Sequence, residues 1–151
     1  MSTPNSPPLG HAAITVGDPH DVASFYRDPL DLQTVRQANS PLTGDAVPLS
    51  GDPAQEDHEL VLCRNPEARH VGFRVSSVHQ LRSLYTIAKH RGLDIPYTLD
   101  SSVAVGFFLR DPEENALEIY LARSRPGRDR PPLTDSEEID PLIRGRKGGL
   151  P

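Results

Sequence analysis

Two histidines, His11 and His70, each open a segment, and the two segments repeat one another. HAAITVGDPHDVASFY, residues 11 to 26, lies without a gap over HVGFRVSSVHQLRSLY, residues 70 to 85, pairing His11 with His70, Val16 with Val75, His20 with His79, Ser24 with Ser83 and Tyr26 with Tyr85. Near the end of the second copy, ALEIYLA (residues 116 to 122) carries a carboxylate, Glu118, within an apolar run. Two neutral imidazoles and one carboxylate fill three sites of an octahedral divalent ion and leave three open for exchangeable ligands. The lone cysteine, Cys63, can make neither an internal disulfide nor a thiolate cluster, so any metal here is held by His and carboxylate, and Cys63 is expected to be a small buried residue.

The three ligand candidates share a side only if the elements carrying them have the right phase. HVGFRV alternates apolar Val71, Phe73 and Val75 with His70, Gly72 and Arg74, the period of a strand with one packed face. From Val78 the period changes to that of a helix, with Val78, Leu81, Leu84, Tyr85 and Ala88 on one stripe and Gly92 as the stop. GLDIPYTL, VAVGFFLRD and ALEIYLA follow as strands. The first copy repeats the order, with HAAITV, a helix over PHDVASFYRDPL that Pro29 is expected to end, then LQTVRQA, DAVPLS and HELVLCR. In HAAITV the packed set is Ala12, Ile14 and Val16, and in ALEIYLA it is Leu117, Ile119 and Leu121. His11, His70 and Glu118 therefore face away from the helices. His20 and His79 fall at helix starts and His90 near a helix end, where exposed residues are expected.

The predicted architecture is α+β: two βαβββ modules of about 60 residues forming a curved mixed sheet around a metal site. Residues 1–8 are expected to form a flexible N-terminus, 9–122 a single domain with modules at about 9–65 and 66–122, and 123–151, rich in Pro, Gly and charge, an arm or tail. One module alone would expose a sheet edge and half a site, so the modules pair within one chain or are exchanged in a homodimer. A net charge of −5 without clustered basic residues argues against a nucleic-acid partner. The absence of a long apolar run or leader-like N-terminus argues against a membrane partner and for a cytoplasmic protein.

LGHAAITVGD followed by FY, then RHVGFRV, then FLRDPEENALEIY together resemble the vicinal oxygen chelate superfamily, which includes glyoxalase I, fosfomycin-resistance proteins, bleomycin-binding proteins and type I extradiol dioxygenases. The resemblance spans about residues 9 to 122, with Glu114 where the final strand's "DP-x-G-N" turn usually has glycine. It implies the vicinal oxygen chelate fold, with His11, His70 and Glu118 as ligands of Fe(II), as in extradiol dioxygenases. Glyoxalase I usually takes a further carboxylate ligand from the strand matching HELVLCR, whose middle here is apolar. DHELVL resembles the "H-H-x-L-A-L" run of the dioxygenases, which implies an acid–base role for His58, read as in phase with Leu60 and Leu62. Phe108 stands where larger members of the group carry a tyrosine, and Tyr120 or Tyr97 is the candidate phenol in its place.

The chain is most similar in length to the single-domain extradiol enzymes, among them the L-DOPA dioxygenases of antibiotic pathways. That resemblance implies a small catechol and O2 as partners and a semialdehyde product, with Phe108, Arg74 and Arg110 lining the substrate and an arginine meeting its charged side group. Two alternatives share the fold: a metal-dependent transferase or lyase of the fosfomycin-resistance or glyoxalase type, and a non-enzymatic drug-binding protein.

Overall fold

The computed structural model describes residues 6–36, 38–40, 43–96, 98–100 and 104–123; residues 1–5, Tyr97 and the expected arm from residue 124 on lie outside the described residues. The fold is α+β, and its elements fall into two units, residues 10–71 and residues 72–123 together with the chain up to Leu9.

The first unit contains β1 (Leu9–Thr15), α1 (Pro19–Leu30), β2 (Gln33–Thr34), β3 (Ala38–Ser40), β4 (Gly44–Ser50), β5 (Leu60–Cys63) and a 3-10 turn at Pro66–Ala68. Asp18 caps α1 by accepting from the N–H groups of His20 and Asp21 at 3.1 and 3.2 Å, a contribution of about 1 kcal/mol. Pro29 does not end the helix as expected. It lies inside the last turn, and α1 stops one residue later, where Asp31 turns left-handed at φ 53°. The ring costs one backbone donor, and so near the C-terminus little helix remains for it to disrupt.

Strands run β2-β4-β5-β1, with β3 also on β4; β1 and β5 are parallel and the remaining pairs antiparallel. LQTVRQA, expected as one strand, is divided between β2 and β3, and the cause lies opposite. From Thr34↔Leu49 to Ala38↔Ala46 the pairing advances four residues on this side and three along β4, across Val47 and Pro48. The carbonyl of Pro48 accepts from the Val35 N–H at 3.0 Å, but proline has no N–H to return the bond. The ladder breaks there, and its register has shifted by one residue when it resumes at Ala38. On the helix side of this sheet Ala23 packs with Val47, Leu49 and Leu62, flanked by Ile14, Val16, Val22, Tyr26, Leu32 and Leu60; the other side carries Ala13, Ala46, Val61, Cys63 and Ala68.

One further expectation is corrected in this unit. HELVLCR becomes a strand only at Leu60, so His58 precedes β5 instead of opening it. β5 is not the hairpin partner of HVGFR: both its edges are taken, by β4 and β1, and CRNPEA is a crossover around the 3-10 turn, which Asn65 starts by accepting from the Glu67 N–H.

The second unit is built from β6 (His70–Arg74, whose first two residues belong to the first unit), α2 (Val78–His90), β7 (Thr98–Asp100), β8 (Ala104–Arg110) and β9 (Ala116–Ala122), in the order β6-β9-β8-β7. Ser77 caps α2 by accepting from the Gln80 N–H at 3.0 Å. Its far end closes with Gly92 N–H on the Lys89 carbonyl and Leu93 N–H on the Ala88 carbonyl, a turn that needs the left-handed φ of 65° at Gly92. Leu81, Tyr85 and Ala88 of α2 pack on Val75, Ile95, Val105, Phe107, Ile119 and Leu121. Val71, expected in the packed set of its strand, is 39% exposed.

Candidate metal centre

Alternation along β1 puts Ile14 and Val16 against the α1 core and leaves His11 on the side of Ala13, where it is buried. Its Nε2 stands 3.0 Å from Nε2 of His70, the first residue of β6. His70 Nδ1 lies 2.8 Å from the Ala68 carbonyl, which can only accept, so the His70 proton sits on Nδ1 and its Nε2 carries a lone pair. Anchoring the outer nitrogen to a backbone carbonyl is how ligating histidines are held in orientation. The spacing fits as well: two nitrogens each about 2.1 Å from one ion, at right angles, stand about 3.0 Å apart.

His58 arrives at this pair by another route. Leu60 and Leu62 face the α1 core, so strand phase would carry His58 to the wrong side. In the loop before β5 it is freed from that alternation, and its ring centroid lies 4.4 Å from that of His11, tilted by 56°. Its Nδ1 donates to Asp57 Oδ2 at 2.8 Å, and Arg36 Nη1 donates to both oxygens of the same carboxylate at 2.9 and 2.7 Å. Burial acts to raise the Asp57 pKa, but the hydrogen bonds from His58 and Arg36 and the charge of the Arg36 guanidinium outweigh it and hold the carboxyl well below the usual range. Sequence reasoning missed both Asp57 and Arg36. Asp57 carried a signal in its adjacency to His58, whereas Arg36 lies 21 residues from its partner with nothing local to mark it.

In the second unit, β9 places Ile119 and Leu121 in the core and Glu118 and Tyr120 on its other face, both buried. A carboxylate so far from water is costly unless it is paired or binds a cation. Across the ladder Glu118 faces Phe108 and Tyr120 faces Gly106. A Cβ at Gly106 would collide with the Ile119 carbonyl and reach within 2.9 Å of the Tyr120 Cα, so glycine is what lets β9 lie this close. Arg110, half-buried, is on the face of Phe108 and is loosely tethered to the turn, with Nη1 donating to the Glu114 carbonyl at 3.3 Å and Nε 3.9 Å from its carboxylate. Arg74, at the end of β6, is half-buried and donates its N–H to the Pro8 carbonyl.

The other histidines stay at the surface: His20 lies 3.4 Å from Asp45 with both side chains substantially exposed, and His79 and His90 are exposed. Cys63 is buried, its Sγ donates to the Ile14 carbonyl at 3.3 Å, and burial raises its pKa, which keeps it a thiol. Among the described residues no helix is long and apolar enough to cross a membrane.

Solved structures similar to this chain include the 2,3-dioxygenase LapB from Pseudomonas sp. KL28 (20% identity, TM-score 0.65, covering 83% of this chain and 46% of that one). The Mn(II)-bound glyoxalase from Novosphingobium aromaticivorans is similar at 18% identity and TM-score 0.60 (83% and 42%), and methylmalonyl-CoA epimerase from Mycobacterium tuberculosis at 18% and 0.58 (83% and 93%). The chain thus spans less than half the length of the dioxygenase and glyoxalase structures it matches, and at these identities the likeness is one of fold. No curated protein matches it. The sequence pattern of one family matches residues 9–119, well over half of the chain. With the repeated βαβββ units and the structural likeness, this places the chain in the Glyoxalase/Bleomycin resistance protein/Dioxygenase superfamily.

Proposed function

We propose that this chain is a ferrous extradiol dioxygenase that opens the ring of a small catechol, with His11, His70 and Glu118 as the metal ligands. The observation that carries the reading is the pair of imidazole nitrogens 3.0 Å apart with a third imidazole, His58, against the first and a carboxylate behind it. A metal-ligating pair and an adjacent oriented acid–base group are what the cleavage of an aromatic diol by O2 requires. Glu118 brings the buried negative charge that two neutral imidazoles lack, and each of the three residues offers one ligand atom.

When bound, ferrous iron supplies chelation of both catechol oxygens and a route for electrons from the diol to O2. The remaining work falls to the chain's own side chains. His58 Nε2 takes a catechol proton as the diol binds and returns it to the developing oxygen anion as the O–O bond breaks. The C–C bond beside one hydroxyl is cleaved, both atoms of O2 enter the product, and the ring opens to a semialdehyde carboxylate. Phe108 forms an apolar wall, and Tyr120, on the face of Glu118, is the phenol proposed to donate alongside His58. Arg110 shares the face of Phe108 and keeps donors beyond its loose tether, so of the two arginines it is better placed than Arg74 to meet the carboxylate of an amino-acid-bearing catechol such as L-DOPA. A ferrous site and a reduced, buried thiol suit a cytoplasmic enzyme. Assembly as a homodimer, expected from the repeat, belongs to the same proposal.

A metal-dependent transferase or lyase is the second reading, favoured by the likeness to the Mn(II)-bound glyoxalase. Against its glyoxalase form, the side of β5 away from α1 offers Val61 and Cys63 and no carboxylate. Loading the protein with Fe(II) under anaerobic conditions and admitting O2 with a panel of catechols separates the readings. Dioxygenase action gives a yellow product and one O2 consumed per catechol. Tight Fe(II) binding with no catechol consumed excludes it and leaves the transferase or lyase.

A further inference from the structure

We infer that Arg36 and Asp57 are positioning residues that fix the ring of His58 with its proton on Nδ1, so that Nε2 is the nitrogen presented for proton transfer. The role of that proton transfer rests on the function proposed above; the orientation does not.

The position of Arg36 depends on Pro48. In the middle of β4 it offers no N–H, and the pairing register opposite shifts by one residue between Thr34 and Ala38. Arg36 lies where the register shifts. A strand with unbroken register would commit its backbone to the ladder and send alternate side chains to opposite faces in fixed order. Outside the ladder that order lapses, and here Arg36 Nη1 comes to rest on both oxygens of Asp57. The Arg36 side chain is 41% exposed and that of Asp57 only 16%, so the arginine closes the carboxylate from the solvent side.

An ionised carboxylate only accepts, so its 2.8 Å contact with His58 Nδ1 requires the proton on that nitrogen. Imidazole side chains in water favour the proton on Nε2, so the contact reverses an intrinsic preference. With Arg36 opposing protonation of Asp57, the carboxylate stays an acceptor and does not become a rival for the proton. The ring meets Asp57 at Nδ1 and packs, tilted, beside the ring of His11. A base whose orientation and tautomer are set by a third group is the arrangement that nucleophile–base–carboxylate systems use. Here the third group is the residue immediately preceding the base in the chain.

The test is the ring nitrogen spectrum of His58 in full-length protein labelled with 15N-histidine, metal-free and Zn(II)-loaded, at a pH where the ring is neutral. Loss of one ring pattern in His58→Gln assigns the signals. The parent is expected to show a protonated Nδ1 and an unprotonated Nε2, and Asp57→Ala to revert to the Nε2–H form. A parent with its proton on Nε2 overturns the inference without any variant, and so does an Asp57→Ala protein whose pattern is unchanged. On Fe(II)-loaded protein, Asp57→Ala should lower kcat for its best catechol by about tenfold or more while KM changes by less than about twofold, since what is lost is base orientation rather than binding. A rise in KM with kcat unchanged overturns the inference. The expected ring pattern in a protein that turns over no catechol sinks the proposed function and leaves the orientation standing.

Discussion

Gly106 lies directly across the β8–β9 ladder from Tyr120, and the space its absent side chain leaves is taken by the backbone of β9. Substituting alanine must push β9 away, and with it Glu118 and Tyr120. Gly106→Ala is expected to lose about 1–3 kcal/mol in urea unfolding, the scale of overpacking a filled interior. It should also weaken metal binding, although residue 106 is no ligand; unchanged stability would show that β9 can yield at no cost.

The His11–His70 pair should govern metal retention. In the parent, saturating Mn(II) or Fe(II) under anaerobic conditions should raise the melting temperature, an effect of about 2.7 kcal/mol at a hundredfold excess over Kd. His70→Ala should abolish the increase. Calorimetric titration of the variant showing parental affinity would remove His70 from the ligand set.

His58→Gln separates acid–base work from binding. Metal affinity and catechol affinity should persist while turnover falls by roughly 10² or more. Full turnover in this variant would move the search for the proton donor to Tyr120 and to Tyr97.

Asp57 makes stability depend on pH with a definite sign. Its carboxyl is held well below the ordinary value, so the folded state binds that proton less readily than the unfolded chain does. The resulting stabilisation is complete above the unfolded carboxylate pKa of about 3.9 and is lost as the pH falls towards the depressed folded value. The stability difference between the parent and Asp57→Asn, followed by denaturant unfolding, should therefore be constant near neutrality and shrink in acid. A difference that grows in acid would contradict the Arg36–Asp57–His58 contacts.

Glu114 holds a left-handed φ of 68° in the turn that Asp111 organises by accepting from Glu113, and from both the backbone and the side chain of Asn115. The side-chain bond from Asn115 leads in keeping the Asp111 carboxyl low. Glu114→Gly should gain about 0.5–1 kcal/mol by removing the Cβ clash, since Arg110 bonds the residue's carbonyl and reaches its side chain only at 3.9 Å. Thermal unfolding checks it.

Strand phase makes whole faces legible in the amino-acid sequence itself. Ile14 and Val16 against α1, and Ile119 and Leu121 against α2, follow from alternation alone, and that fixes the sides to which His11 and Glu118 turn. The stripe Leu81, Tyr85 and Ala88 is equally plain from its period. Where regular geometry lapses, periodicity says nothing. His58 read as part of β5 would point into the α1 core, yet it lies in the loop before the strand. Arg36 depends on a one-residue shift produced by a proline on another strand, and Val71 is solvent-exposed although its period matches that of Phe73 and Val75. Arg36 and the loop position of His58 are hidden for this reason, since each owes its place to a break in pattern, whereas Asp57 is marked by its adjacency to His58.

The break opposite Pro48 has one more effect, on how this protein meets copies of itself in a crowded cell. β2 and β3 form an outer border of their sheet, where unpaired N–H and C=O groups invite a stranger's strand. Among the described residues that border consists of strands of two and three residues, out of register with one another by one residue, and each is too short a run of donors and acceptors for a foreign chain to dock on. Restoring a donor at residue 48 would straighten that border, and the expected penalty is a lower threshold for aggregation.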